Sequence, residues 1–138
     1  MLHLRESAYK AIVAHAWDEL PNEACGLLAG PAGSDRAEVF VPTRNADASS
    51  RTFSLGPDAW DAIDEQIEGK GLATLGVVHS HTHTEAYPSP TDIEQAGNPF
   101  LAGWRWVLVS LRQPEPVVRS YLIADGQVVE EQISLLRG

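Results

Sequence analysis

The chain is short of cysteine, of positive charge and of long apolar runs, and each shortage removes a class of protein. A single cysteine, Cys25, rules out an internal disulfide framework and suits a reducing cytosol. Lys+Arg of 10 against Asp+Glu of 19 leave a net charge of −9, which disfavours the nucleic-acid backbone as a partner. The same charge suits a basic or neutral protein partner without specifying one. No stretch approaches the length of a membrane span, and the N-terminus carries no signal-like apolar segment. A cytoplasmic chain in contact with neither membrane nor nucleic acid is expected. The 138 residues are 43% hydrophobic, enough for one core, so one domain over residues 1–138 is expected.

What is present reads as alternating strands and helices. Leu2-His3-Leu4 is a short strand-like start. Residues 7–20 carry Ala8, Ile12, Val13, Ala16 and Trp17 at helical spacing, and Pro21 closes that helix. Residues 25–29 and 38–41 read as strands around the turn at 30–35, which predicts a hairpin. The polar stretch 44–51 is followed by a brief strand at 52–55. Pro57 then opens a second helix in which Trp60, Ile63, Asp64 and Ile67 recur at three- and four-residue steps, while Asp58, Asp61, Glu65 and Glu68 read as a solvated face or a partner-binding one. Downstream come a buried strand over 72–81, a short helix stopped by Gly97-Asn98-Pro99, and a β-type run over 104–111. A last hairpin joins 119–124 to 127–134 through Asp125-Gly126. Helices interspersed among mixed strands indicate an α/β sandwich. The four tryptophans read as core and flank packing.

The chemistry concentrates in residues 79–92. His79 and His81 stand two apart at a strand end and so project together, while Ser80 faces the other way. Residues 82–88 lack helical or strand period and form a loop. Ser89-Pro90-Thr91-Asp92 then reads as a helix start, with Ser89 as N-cap, Pro90 at the first helical position and Asp92 in the first turn. Two imidazoles and a carboxylate are the ligand set of an open catalytic zinc site. Plainer readings stay open from the residues alone. Ser89-x-x-Asp92 is also an ordinary capping box, and two alternating histidines also suit a polar strand end. His83 continues the alternation and would make a three-histidine set if the strand ran on; as a loop residue it is an exposed histidine or a substrate contact. Cys25 is either a thiol nucleophile beside a histidine or a small buried strand residue. Glu23, after Pro21-Asn22, is by itself a solvated turn acid or a proton shuttle.

Taken together, Glu23 … His79-x-His81-x(7)-Ser89-x(2)-Asp92 resembles the signature of the JAMM (MPN+/JAB) zinc metallopeptidases. Gly76-Val77-Val78 and the segment from Glu23 to Gly30 are similar to that family as well. The resemblance implies a three-layer, cytidine-deaminase-like fold with a mixed central sheet flanked by helices. It implies Zn2+ held by His79, His81 and Asp92, with the pKa of its bound water lowered to about 7. Glu23 would take the proton of that water and deliver it to the departing amine. Ser89 would donate a hydrogen bond to the developing oxyanion.

More narrowly, His79-Ser80-His81-Thr82 followed by residues 84–89 resembles the bacterial Mec-type branch, which removes cysteine from the C-terminus of a ubiquitin-like sulfur-carrier protein. The substrate this implies is a carrier with a Gly-Gly-type tail, and the product is cysteine for cysteine biosynthesis. Thr82 stands where many JAMM proteins have proline, a departure that touches the loop and no ligand. The compact chain has little room for ubiquitin-gripping insertions, so edge-on recognition of an extended tail is expected, with the loop at 44–51 as a groove wall or a plain connection. Two alternatives accompany this reading: the same chemistry on another ubiquitin-like conjugate, and a non-catalytic scaffold. The leaving group and the oligomeric state are not legible in the sequence, nor is autoinhibition by His83 or Glu85.

Overall fold

The structure, a computed structural model, describes residues 1–43 and 57–138. Strand β1 (Leu2–Arg5) leads into helix α1 (Glu6–Asp18), which buries Ala8, Ile12 and Ala16 along one line. Strand β2 (Cys25–Gly30) is buried throughout. It is followed by the two-residue β3 (Arg36–Ala37), β4 (Val39–Thr43), α2 (Pro57–Gly69) and β5 (Ala73–His81). The order continues with α3 (Pro90–Ala96), a 3-10 turn, β6 (Arg105–Ser110), β7 (Val117–Ala124), β8 (Gln127–Glu131) and β9 (Ile133–Leu136). The expected loop at 44–51 and strand at 52–55 lie outside the described residues, as do the side chains of Asp58, Trp60 and Asp61.

Six strands form one sheet in the order β4-β2-β5-β6-β7-β8, and β3-β1-β9 form a second, smaller sheet. The pair β5–β6 is parallel while its flanking pairs are antiparallel, so the large sheet is mixed. Alternation along the central strands divides the core in two. Leu28, Val78, Val107 and Val109 pack with Leu2, Leu4 and the buried line of α1. Leu27, Val77, Trp106, Leu108 and Tyr121 pack on the other face with Ile63 and Ile67 of α2 and Ala96 of α3. Sheet residues that alternate between two such clusters make three layers, as the family resemblance implies. Among the described acids of α2, Asp64, Glu65 and Glu68 are exposed, which agrees with a solvated face. No described helix is long and apolar enough to cross a membrane.

Two local expectations are corrected. Trp17 is exposed and Val13 only half-buried, because each sits one residue, about 100° of helix rotation, off the Ala8–Ile12–Ala16 line. The strand expected over 127–134 divides at Gln132. Its first part pairs with β7, and its second leaves the large sheet to run parallel to β1, with Leu2 N–H donating to the Gln132 carbonyl at 2.8 Å. That exchange places Ile133 against the core under α1. The Asp125-Gly126 turn forms as expected, with both residues at positive φ (53° and 75°).

Gly76 faces Arg105 across the β5–β6 pair, and a Cβ there would meet the Arg105 carbonyl oxygen at 2.5 Å. Backbone cannot rotate away as a side chain can, so Gly76→Ala is expected to cost about 1–3 kcal/mol. Urea unfolding should show a lower midpoint at unchanged slope; an unchanged midpoint would mean that the strands part freely.

Candidate metal centre

Strand β5 is paired on both edges, with β2 as far as His79 and with β6 as far as His81. His79 and His81 therefore leave the sheet from a fixed backbone and on one face, their rings edge to face with centroids 4.9 Å apart. The Trp106 ring stands edge-on to His79 from the neighbouring strand at 6.4 Å. Ser80, on the opposite face, is not idle. Its Oγ accepts from Ala24 N–H at 2.8 Å, and its own N–H donates to the Ala24 carbonyl at 2.9 Å. This double clamp holds the backbone next to Glu23 against β5 and brings Glu23 Oε1 to 3.7 Å from His79 Nδ1. Sequence reasoning assigned Ser80 only a direction. Its role depends on which segment lies across the sheet, which no local pattern reveals.

The fourth group arrives on α3. Ser89 caps the helix: its Oγ accepts from Asp92 N–H at 3.1 Å, and Asp92 Oδ2 accepts from Ser89 N–H at 2.7 Å. The capping box forms, and it does not exclude the ligand reading. The same carboxylate places Oδ1 2.7 Å from His79 Nε2 and Oδ2 3.4 Å from His81 Nε2. Capping uses a lone pair of the Ser89 hydroxyl and leaves its O–H for donation. His81 is turned by its other nitrogen, Nδ1, which lies 2.9 Å from the Glu85 carbonyl. That contact assigns Nε2 to the Asp92 side, the arrangement that orients metal-binding histidines.

The structure thus gathers Glu23, His79, His81 and Asp92 at one buried point, with Ser89 at its edge. His83 lies past the strand end and is exposed, as is the Glu85 side chain; the loop uses the Glu85 backbone instead. Cys25 pairs with His79 in register but is buried, its Sγ 3.1 Å from Thr43 Oγ1. It fits the small strand residue rather than a nucleophile open to substrate.

Two carboxylates and two imidazoles out of water demand compensation. Burial disfavours a charged His79, yet the Asp92 and Glu23 carboxylates outweigh it and hold the imidazolium up to about 9. Burial likewise works against ionised Asp92, but His79 and His81 hold its carboxyl well below the usual carboxylate range. A proton here does what a cation would do. Ligand atoms of Glu23, His79 and His81 all lie within 4.8 Å of one another, and Asp92 touches both rings. Imidazole nitrogen and carboxylate oxygen are donors suited to first-row divalent ions, so the residues fit a metal.

Fold and centre together are those of a metal-dependent hydrolase. Residues 5–124 match the family of prokaryotic homologues of the JAB domain. The chain is 41% identical over 137 residues to the CysO-cysteine peptidase of Mycobacterium tuberculosis, covering 99% of this chain and 92% of that protein. It is 34% identical over 103 residues to the desampylase of Haloferax volcanii, covering 71% and 74%. Among solved structures, a protein from Desulfitobacterium hafniense superposes with TM-score 0.88 at 35% identity, over 100% of this chain and 94% of that one. A JAB1/MPN domain protein from Archaeoglobus fulgidus shares the fold with TM-score 0.64 at 18% identity, over 98% and 97%. The chain belongs to the prokaryotic JAB-domain family, the JAMM class of metallopeptidases.

The electrostatics set a pH test on metal-free protein. His79 is raised from 6.5 to about 9, so its contribution to stability is complete below 6.5 and is lost as pH rises through about 9. Asp92 is lowered, so its contribution is present above its ordinary value of 3.8 and is lost as pH falls below it. Denaturant unfolding between pH 6 and 10 should show metal-free protein weakening across that window. Stoichiometric Zn2+ should flatten the slope, because bound metal displaces the proton. A flat profile without metal would dissociate His79 from the two carboxylates.

Proposed function

We propose that this chain is a cytoplasmic zinc peptidase that cuts the amide bond between the Gly-Gly-type tail of a ubiquitin-like sulfur-carrier protein and a terminal cysteine. The released cysteine would serve cysteine biosynthesis. The carrying observation is the convergence of Glu23, His79, His81 and Asp92 at one buried point on the end of β5. The name of the M. tuberculosis relative, a CysO-cysteine peptidase along nearly the whole chain, supports the substrate class. The name of the Haloferax relative, a desampylase, supports a second reading, the same chemistry on a different conjugate.

The geometry favours a division of labour. His81 can offer only Nε2, since Nδ1 is engaged by the Glu85 carbonyl, and both Nε2 atoms turn toward Asp92. His79, His81 and Asp92 are accordingly the ligands. Glu23, on the Nδ1 side of His79, is the carboxylate left to move protons. Bound there, Zn2+ would supply Lewis acidity and make water acidic near neutral pH. Glu23 Oε1 takes a proton from the attacking water and passes it to the amine nitrogen as the C–N bond breaks, one carboxylate serving both steps. The Ser89 O–H donates to the carbonyl oxygen as negative charge develops on it. Close packing around the four groups excludes bulk water, which strengthens each of these interactions.

Glu23→Gln is expected to keep its zinc and lose about 10²–10⁴-fold in turnover. Ser89→Ala should lose about 10²–10³-fold in kcat with zinc retained, beyond the roughly 1 kcal/mol of stability that a lost N-cap costs. The assay is intact-mass analysis of a Gly-Gly-terminated carrier extended by one cysteine, incubated with zinc-loaded protein. Loss of one cysteine with wild type alone is the expected result. An active Glu23→Gln protein would remove that residue from the mechanism, and an inert wild type with confirmed zinc would move the substrate to a different conjugate.

A further inference from the structure

Beside the metal centre, at the same end of the sheet, a cleft of ≈ 410 Å³ opens between the loop after β5 and strands β6 to β8. Its walls include Glu85, Tyr87, Ser110, Arg112, Arg119 and Glu130. The volume falls in the range of about 300–1,000 Å³ typical of small-ligand sites. The cleft is coupled to the centre by short links. Ser110 pairs with His81 in the β5–β6 register, and Leu111 N–H donates to the His81 carbonyl at 3.1 Å. Ser110 Oγ donates to the Thr84 carbonyl at 2.5 Å and accepts from Arg112 N–H at 3.3 Å. The Tyr121 hydroxyl donates to the Ala86 carbonyl, and its ring stacks edge-on against Tyr87 at 5.6 Å. One loop therefore orients His81 through Glu85 and also walls the cleft.

The charges in the cleft are unequal in use. Arg119 is committed to Glu130, with contacts at 3.1 and 3.2 Å. Arg5, Arg36 and Arg105 likewise each face a glutamate. Among the described residues Arg112 has no such partner, although its backbone is fixed two residues beyond the neighbour of His81.

We propose that this cleft receives the residue released by the cut and that Arg112 pairs with its free α-carboxylate. The inference rests on the carrier-tail reading above. A C-terminal residue differs from an internal or isopeptide-linked one by a negative charge close to the scissile nitrogen. A guanidinium reads that planar group with two parallel hydrogen bonds, which makes Arg112 a specificity residue for terminal amino acids. Glu85, lining the same cleft, disfavours an acidic side chain on that residue and tolerates a neutral one such as that of cysteine.

The test compares two carriers, one ending in cysteine with a free carboxylate and one ending in cysteine amide, with zinc-loaded wild type, Arg112→Ala and Arg112→Lys. Wild type should prefer the acid by about 10- to 100-fold in kcat/KM, mostly through KM. Arg112→Ala should bring the ratio near one, and Arg112→Lys should restore part of it. A ratio that Arg112→Ala leaves at the wild-type value overturns the proposal, as does a wild type indifferent to amidation. A parallel titration needs no turnover: S-methylcysteine should shift the Arg112 Nε–H resonance of metal-free protein, and its amide should not. If wild type cleaves neither carrier, the substrate reading fails and this titration alone decides the cleft, a missing or amide-insensitive shift overturning it.

Discussion

Everything in the site hangs from the pairing of β5 on both of its edges. A strand bonded on one side only can slip or fray at its end, and a slip by one residue would turn both histidines to the other face. Here β2 holds the strand as far as His79 and β6 as far as His81. Gly76 permits the close approach of β6, and Cys25 and Leu108 flank His79 in register. The Ser80–Ala24 clamp extends this rigidity to the segment carrying Glu23. A site built on sheet backbone keeps its geometry better than one assembled from loops.

That rigidity holds a costly arrangement in place. Four ionisable side chains lie out of solvent, two of them carboxylates. In metal-free protein one shared proton offsets part of the cost. It makes His79 an imidazolium whose Nε2 faces Asp92 and whose Nδ1 faces Glu23, one carboxylate near each ring nitrogen. The centre is therefore poised to exchange that proton for a cation, and the exchange couples metal affinity to pH. Asp92 serves two purposes at once, closing the capping box and facing both imidazoles, and in the proposed function it is a metal donor as well. Its place in the first turn of α3 also sets its negative charge at the favourable end of the helix.

The loop of residues 82–88 joins the chemistry to the surface. It has no regular structure, yet its carbonyls are engaged one after another: Thr84 by Ser110, Glu85 by His81 and Ala86 by Tyr121. Backbone fastened in this way needs no secondary structure to be ordered. One side of the loop fixes a histidine and the other bounds a cleft, so the orientation of His81 and the wall of the cleft share one piece of chain.

Much of this was legible in the residues. The strand ending at His81, the cap at Ser89 with Pro90 behind it, α1, α2 and the two hairpins follow from period, capping and turn chemistry, all of them local. The alternation that sets His79 and His81 on one face is a property of any strand. Local pattern could not show that residues 127–136 serve two sheets, since the second half is called away by β1, more than a hundred residues earlier in the chain. Nor could it show that Ser80 positions Glu23, that Glu85 acts through its backbone carbonyl, or that Arg112 lines a cleft beside His81. Each depends on which distant segments become neighbours. The sequence by itself determined the donor types, their spacing and the elements that carry them. Only the tertiary structure decided that Glu23, fifty-six residues from His79, and Asp92, thirteen beyond it, share one buried point, because that proximity is settled by strand pairing and helix packing rather than by spacing along the chain.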